Sequence, residues 1–303
     1  MNSIILFGGG GQLARAIHQI FKVNHQYSIK SLLRSEADIT DCHRVTTIIR
    51  HHQPSIIINC AAFTDVEHAE QHPEIPFQVN EIGVRNIAIA MQKYSPGTRF
   101  IHFSTDYVFS GEDAPEEGYS EDSPSAPVNV YGMSKRRGEL VLLDEFPHVS
   151  SLIIRLSWLY GEGRSNFISR LLTLASTQPV VRVVSDVKGS PTSTLQVANF
   201  LAYFLGERDL RDRMFKEQII HFSGRGKTSW YEFAKEIKHR YQIPNTLIPV
   251  SHTDFPHGAR RPLDTYLCTE TVHSIIPLID SWKVALEQFV SSHSPFMGPG
   301  SKL

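Results

Sequence analysis

Short apolar runs alternate with stretches of helical periodicity through the first half of the chain. Residues 3–7, S-I-I-L-F, are almost wholly apolar and end in four glycines. Such a run predicts a strand buried on both faces. Leu13, Ile17, Ile20 and Phe21 then fall on one helical face. Strand, glycine turn and helix thus account for the first 23 residues. The rhythm repeats. Strands are expected at 27–33, 55–59, 99–104 and 151–157, and helices from Asp41 to about His52, over 76–94 and over 130–143. Residues 111–127 hold several Pro, Glu and Ser and read as a loop.

Strands alternating with helices imply a parallel sheet covered on both faces, and crossover handedness favours a Rossmann-like, doubly wound α/β fold. After about residue 160 the rhythm loosens. Helices are expected at 167–175, 194–205, 229–241 and 281–290, with one strand at 180–184. The division expected is a dinucleotide-binding domain over 1–160 and, over 161–303, mainly a small substrate-binding lobe with some elements returning to the sheet.

Composition narrows the function. The chain has 303 residues, 41% hydrophobic and 20% charged, with a formal net charge of −1. The core is sizeable, and the basic excess expected of a nucleic-acid protein is missing. No apolar run nears the roughly 18–20 residues of a membrane span, and the N-terminus lacks the basic region of a signal peptide. Cys42, Cys60 and Cys268 are far apart and form no C-x-x-C pair, so reduced thiols in the cytoplasm are expected. The final S-K-L matches a peroxisomal address, but three residues are weak evidence and coincidence is favoured.

The glycine turn is the first candidate site. Gly8, Gly11 and Ala14 keep the spacing of a dinucleotide-binding turn, in which small residues admit a pyrophosphate to a helix N-terminus. The acidic residue that usually receives the adenosine ribose is missing from S-L-L-R-S. Arg34 stands there instead, about 20 residues on, either to pair with a 2′-phosphate or as a solvated surface arginine. NADPH is the expected cofactor, with NADH as the alternative. G-R-G-K-T-S at 224–229 mimics a phosphate loop, but His221 stands where its first glycine belongs. It reads as the lead-in to the 229–241 helix.

Tyr131 and Lys135, in Y-G-M-S-K, share a helical face. An ammonium close to a phenol lowers its pKa from about 10 and makes it a usable general acid for a carbonyl. S-T-D-Y-V-F-S-G at 104–111 follows the fourth strand directly, which puts the Thr105 hydroxyl at the ligand-binding end of the sheet.

These blocks, with I-I-I-N-C-A-A-F-T-D-V-E-H-A-E, V-N-E-I-G-V-R-N-I-A, R-L-S-W-L-Y-G, G-S-P-T and R-R-P-L-D-T, resemble the extended short-chain dehydrogenases/reductases, and within them the dTDP-4-dehydrorhamnose reductases. The resemblance spans essentially the whole chain. It implies a catalytic triad of Thr105, Tyr131 and Lys135. It implies cofactor contacts at Gly8, Gly10, Gly11, Gln12 and Leu13, at Asp38 and Ile39 beside the adenosine, and at Ala61, Ala62 and Phe63, with Asn80 as a polar support. Substrate contacts fall on Thr105, Asp106, Trp158 and Arg261; Pro262 belongs to the same nucleotide-side segment. Trp158 is placed either to cover a hexose face or as plain core. The implied reaction is reduction of a sugar-nucleotide C4 ketone for cell-surface polysaccharide synthesis.

Ala14 stands where the family usually has glycine, and Asp264-Thr265 where it commonly has Asn-Ser. Some family members bind Mg²⁺ at a dimer contact; no convincing ligand set stands here, so no metal site is assigned and a homodimer is left open. The rival readings are an epimerase or dehydratase of the same superfamily and a non-catalytic regulatory subunit that kept the fold.

Overall fold

The structure is a computed structural model, and it describes residues 2–255, 258–276 and 279–293. The terminal S-K-L lies outside them. The N-terminal elements are β1 (Asn2–Phe7), α1 (Gln12–Lys22), β2 (Tyr27–Leu32), α2 (Cys42–His52), β3 (Ile56–Asn59), α3 (Val66–Gln71), α4 (Glu74–Phe77), α5 (Gly83–Tyr94), β4 (Arg99–Thr105), α6 (Val130–Leu140) and β5 (Ser151–Leu156). The later elements are β6 (Leu159–Tyr160), α7 (Phe167–Thr177), β7 (Val180–Val184), β8 (Lys188–Gly189), β9 (Thr192–Ser193), α8 (Thr194–Gly206), α9 (Arg208–Glu217), β10 (Ile219–Phe222), β11 (Thr228–Ser229), α10 (Trp230–Arg240), β12 (Thr246–Val250), α11 (Glu270–Ile275) and α12 (Trp282–His293).

One parallel sheet runs β2-β1-β3-β4-β5-β10. Alternation along each strand divides its side chains between two cores. Ile4, Leu6, Ile58, Ile101 and Ile154 meet α1, α8 and α11 on one face. Ile5, Phe7, Ile57, Phe100 and Ile153 meet α2 and α5 on the other. This two-sided burial is why the strands read as unbroken apolar runs. The order reverses beside β1, and such a switch point opens a ligand crevice at the carboxyl ends of the strands.

The C-terminal half contributes to both regions. α8 packs on α1, and β10 extends the sheet past β5. A third core gathers Tyr160, Leu171, Val181, Phe233, Ile237, Trp282 and Leu286 beside the sheet. No described helix is long and apolar enough to cross a membrane.

Two expected helices are interrupted. Between α4 and α5 the chain opens into a π-helical turn, Gln78–Ile82, and α6 runs into another, Val141–Glu145. The first has a packing partner: the Asn80 carbonyl lies so close to Gly138 of α6 that a Cβ there would collide with it. Asp41 and Ser229 cap their helices by accepting the backbone N–H of Arg44 and Glu232.

Candidate active site

The carboxyl ends of β1, β3 and β4 bring the distant blocks together. Gly8 leaves β1 with φ +79°, and a Cβ there would stand 2.5 Å from the Ala61 nitrogen. Glycine is required by both conformation and space. Gly10 is different: its Cβ would meet only Leu33, at an ordinary 3.7 Å. Gly11 is the N-cap of α1 and offers no side-chain acceptor to the first helical N–H groups. An open glycine surface before uncapped N–H groups fits a pyrophosphate.

The other cofactor candidates divide. Gln12 gives its side-chain N–H to the Leu159 carbonyl at 3.2 Å, so it ties the turn to β6 rather than projecting freely. The side chains of Leu13 and Ile39 are buried in the sheet's cores. Asp38 accepts from Arg34 Nε at 2.9 Å and from Thr40 N and Oγ1. Burial opposes these bonds, but they hold its carboxyl below the usual range. Arg34 is otherwise open to solvent, with its side chain 82% exposed.

Asn80 is more than a nearby support. Its Oδ1 accepts the Phe63 N–H at 2.9 Å, and its Nδ2 donates to the Phe63 carbonyl at 3.1 Å and to Ser134 Oγ at 2.9 Å. Ser134 in turn donates to the Tyr131 carbonyl. The segment after β3 is thereby pinned to the helix carrying Tyr131 and Lys135. Asn59 holds the same segment from below by accepting the Ala61 N–H at 3.1 Å.

Thr105 ends β4, and Tyr131 of α6 lies close to it. Burial pushes the Tyr131 phenol above its ordinary range; the nearby Thr105 hydroxyl works against this and the neighbouring Asp106 charge adds to it. The expectation that Lys135 lowers this pKa is not met. The Lys135 ammonium is instead spent on the Phe103 carbonyl at 2.6 Å. Its own pKa is pulled down by burial to about 8, with Glu139 and Cys60 acting the other way.

Asp106, expected among the substrate contacts, is buried. Its carboxylate is enclosed, accepting from Thr105 at 3.1 Å, Ser157 at 3.0 Å and Thr265 at 2.5 Å. Trp158, with φ +43°, is buried; Trp230 stacks on one face of its indole at 3.6 Å, and Gly189 lies against the ring. Arg261 pairs with Glu67 at 2.8 Å and lies near Tyr107, whose ring meets Tyr131 edge-on at 5.8 Å. Asp264, the departure from the family pattern, is paired with Lys227 of the phosphate-loop mimic at 2.5 Å.

Several working residues carried no signal of their own. Ser157 and Thr265 stand within quoted blocks, but nothing local shows that both reach Asp106. Glu139 is fully buried in a two-pronged pair with Arg155 at 2.9 and 2.8 Å, and it also accepts from Arg136.

A family model described as the RmlD substrate binding domain matches residues 1–294. The dTDP-4-dehydrorhamnose reductase of Aggregatibacter actinomycetemcomitans is 34% identical over 294 residues, 95% of this chain and 98% of that protein. The chain belongs to the dTDP-4-dehydrorhamnose reductase family. Another similar protein is the spore coat polysaccharide biosynthesis protein SpsK of Bacillus subtilis, 32% identical over 296 residues, 97% of this chain and 99% of that one. A dTDP-4-dehydrorhamnose reductase from Bacillus anthracis, solved in complex with NADP, has a TM-score of 0.86 to this chain at 31% identity, covering 96% of this chain and 99% of the other. Thr105 ends β4, and Tyr131 and Lys135 stand on α6, which Lys135 ties to that strand.

Proposed function

We propose that this chain reduces the C4 ketone of dTDP-4-dehydro-L-rhamnose to the alcohol of dTDP-L-rhamnose, with NADPH as reductant, in the cytoplasm. The observation that carries the reading is the Lys135 bond to the Phe103 carbonyl, which holds α6, with Tyr131, against the strand that ends in Thr105, beside the glycine turn. When bound, the reduced nicotinamide supplies a hydride to the carbonyl carbon. Tyr131 holds the proton that the forming alkoxide takes, and Thr105 holds the Tyr131 hydroxyl in place. Lys135 offers its remaining ammonium hydrogens to ribose hydroxyls from the wall of β4.

Gly10, Gly11 and the free N–H groups of α1 suit the pyrophosphate. Arg34 suits a 2′-phosphate, and the NADP-bound structure of the Bacillus anthracis relative supports that preference over NADH. Arg261 and Tyr107 form the nucleotide-facing wall. The carboxylate of Asp264 does not weigh against an anionic nucleotide, because Lys227 neutralises it.

The test is product analysis. Purified protein with the keto sugar nucleotide and NADPH should consume one reductant per alcohol formed, and Tyr131→Phe should abolish it. An epimerase or dehydratase would change the sugar without net consumption. A regulatory subunit would do neither.

A further inference from the structure

Residues 258–265 form a strap across the carboxyl end of the sheet. At one end Thr265 donates to Asp106 at 2.5 Å, beside the end of β4. In the middle, Pro262 and Leu263 lie so close to Gly111 that a Cβ there would collide with them. The Arg260 carbonyl accepts from Asn129 Nδ2 at 2.9 Å, and Asn129 Oδ1 caps α6 by accepting the Gly132 N–H at 2.8 Å. At the other end the strap meets Glu67 of α3. One oxygen of Glu67 accepts the Gly258 N–H at 2.9 Å and the Ala259 N–H at 3.1 Å. The other accepts from Arg261 Nη2 at 2.8 Å.

α3 is a firm base for that side chain. Phe63, just before it, is tied to Asn80 through both main-chain groups. Asp65 caps the helix by accepting the His68 N–H at 3.0 Å. Glu70, three residues on from Glu67 and on the same face, accepts the Val130 N–H at 2.7 Å. Val130 opens the helix that carries Tyr131. Glu67 therefore projects from an element fixed both to the segment after β3 and to α6.

The pair with Arg261 is 36% exposed on both sides. An ion pair so open to water adds little to stability. Its effect is on direction. A guanidinium is a planar fork of five donors, so a carboxylate that holds Nη2 sets the plane in which the remaining hydrogens lie. Burial opposes the bonds to Glu67, yet those from Arg261, Ala259 and Gly258 hold its carboxyl below the usual range.

We propose that Glu67 is a positioning residue for the sugar nucleotide: it fixes the 258–259 turn with one oxygen and aims the Arg261 guanidinium at the diphosphate with the other. This deepens the reductase reading and rests on it. Glu67 itself touches neither cofactor nor sugar; it acts through Arg261.

The test is calorimetric titration of dTDP into the NADP⁺-loaded protein, together with steady-state kinetics. Glu67→Gln is the informative variant. Its amide keeps one oxygen for the Gly258 and Ala259 N–H groups but turns an NH₂ toward Arg261, donor against donor. The Kd for dTDP and the KM for the sugar nucleotide should rise about fivefold or more, with kcat and the KM for NADPH within about twofold of the wild type. Arg261→Ala should weaken dTDP at least as much, and adding Glu67→Gln to it should change nothing further. A merely structural role would make the two losses add, or would lower kcat and raise the KM for NADPH as well; either result overturns the proposal. Unchanged dTDP binding in Glu67→Gln also overturns it. So does tighter binding, which would mean that the carboxylate competes with the diphosphate for Arg261. A wild-type protein that fails to bind dTDP would overturn the sugar-nucleotide reading itself.

Discussion

The Lys135 ammonium donates to the Phe103 carbonyl at 2.6 Å, two residues before Thr105. The lysine is therefore fastened to β4, the strand that ends in Thr105, and not to the tyrosine one helical turn away. Its place in the site is that of a buried cation set at the wall of the cofactor crevice. Such a charge is costly to keep out of water.

That cost gives a signed prediction. The pKa of Lys135 is about 8 in the folded chain against 10.5 for the free group. Between those values the unfolded chain binds more protons, so stability rises with pH through the window. Below it the full penalty is present. Lys135→Met is expected to raise the stability at neutral pH by about 1–2 kcal/mol in denaturant melts, after the lost bond to Phe103 is counted. Turnover should fall by about 100-fold or more.

The four glycines after β1 should separate by role. Gly8→Ala forces a side chain onto φ +79° and into the Ala61 backbone, and should cost about 2–4 kcal/mol. Gly10→Ala has room, and should leave stability within about 0.5 kcal/mol while weakening NADPH binding about tenfold or more, as read by fluorescence titration. Equal destabilisation by both would mean that the turn is built for packing alone.

How much of this was legible beforehand depends on the range of the interaction. The strand–turn–helix start was readable because β1 is buried on both faces and α1 is amphipathic, both local properties of sequence. Asp41 and Ser229 announced their helices for the same reason. The π-helical turn at Gln78–Ile82 was not readable, because it accompanies the close approach of Gly138 from another helix. The strand β10 was missed because it is four residues long, and it belongs to the sheet only through pairing with β5. The triad positions came from blocks adjoining predicted elements. The enclosure of Asp106 could not, since Thr265 arrives from 159 residues away.

Asn80 tests whether the support around the triad matters to catalysis. Asn80→Leu removes three hydrogen bonds and leaves the Phe63 N–H and carbonyl without that partner. A loss of about 2–4 kcal/mol is expected. The KM for NADPH should rise, because the segment after β3 loses its tie to α6. Unchanged kinetics in the folded variant would show that Ala61–Phe63 hold their place without it.

The Glu139–Arg155 pair should behave as a buried ion pair and not as a catalytic one. Breaking it from one side with Glu139→Gln or Arg155→Met is expected to cost about 3–5 kcal/mol. Replacing both by methionine should recover much of that loss. Melting curves of the three variants decide it.

Arg34 is exposed and pairs only with Asp38 among the described residues. Arg34→Ala should raise the KM for NADPH about tenfold and leave that for NADH nearly unchanged. An equal effect on both cofactors would make it a surface residue.

The most direct test of the account uses dTDP-4-keto-6-deoxyglucose as the starting sugar, with and without the 3,5-epimerase that converts it to the L-rhamno ketone. The account expects NADPH to be consumed only when the epimerase is present, with dTDP-L-rhamnose as the product. Consumption without the epimerase would contradict it and make the chain a reductase of a different deoxysugar ketone.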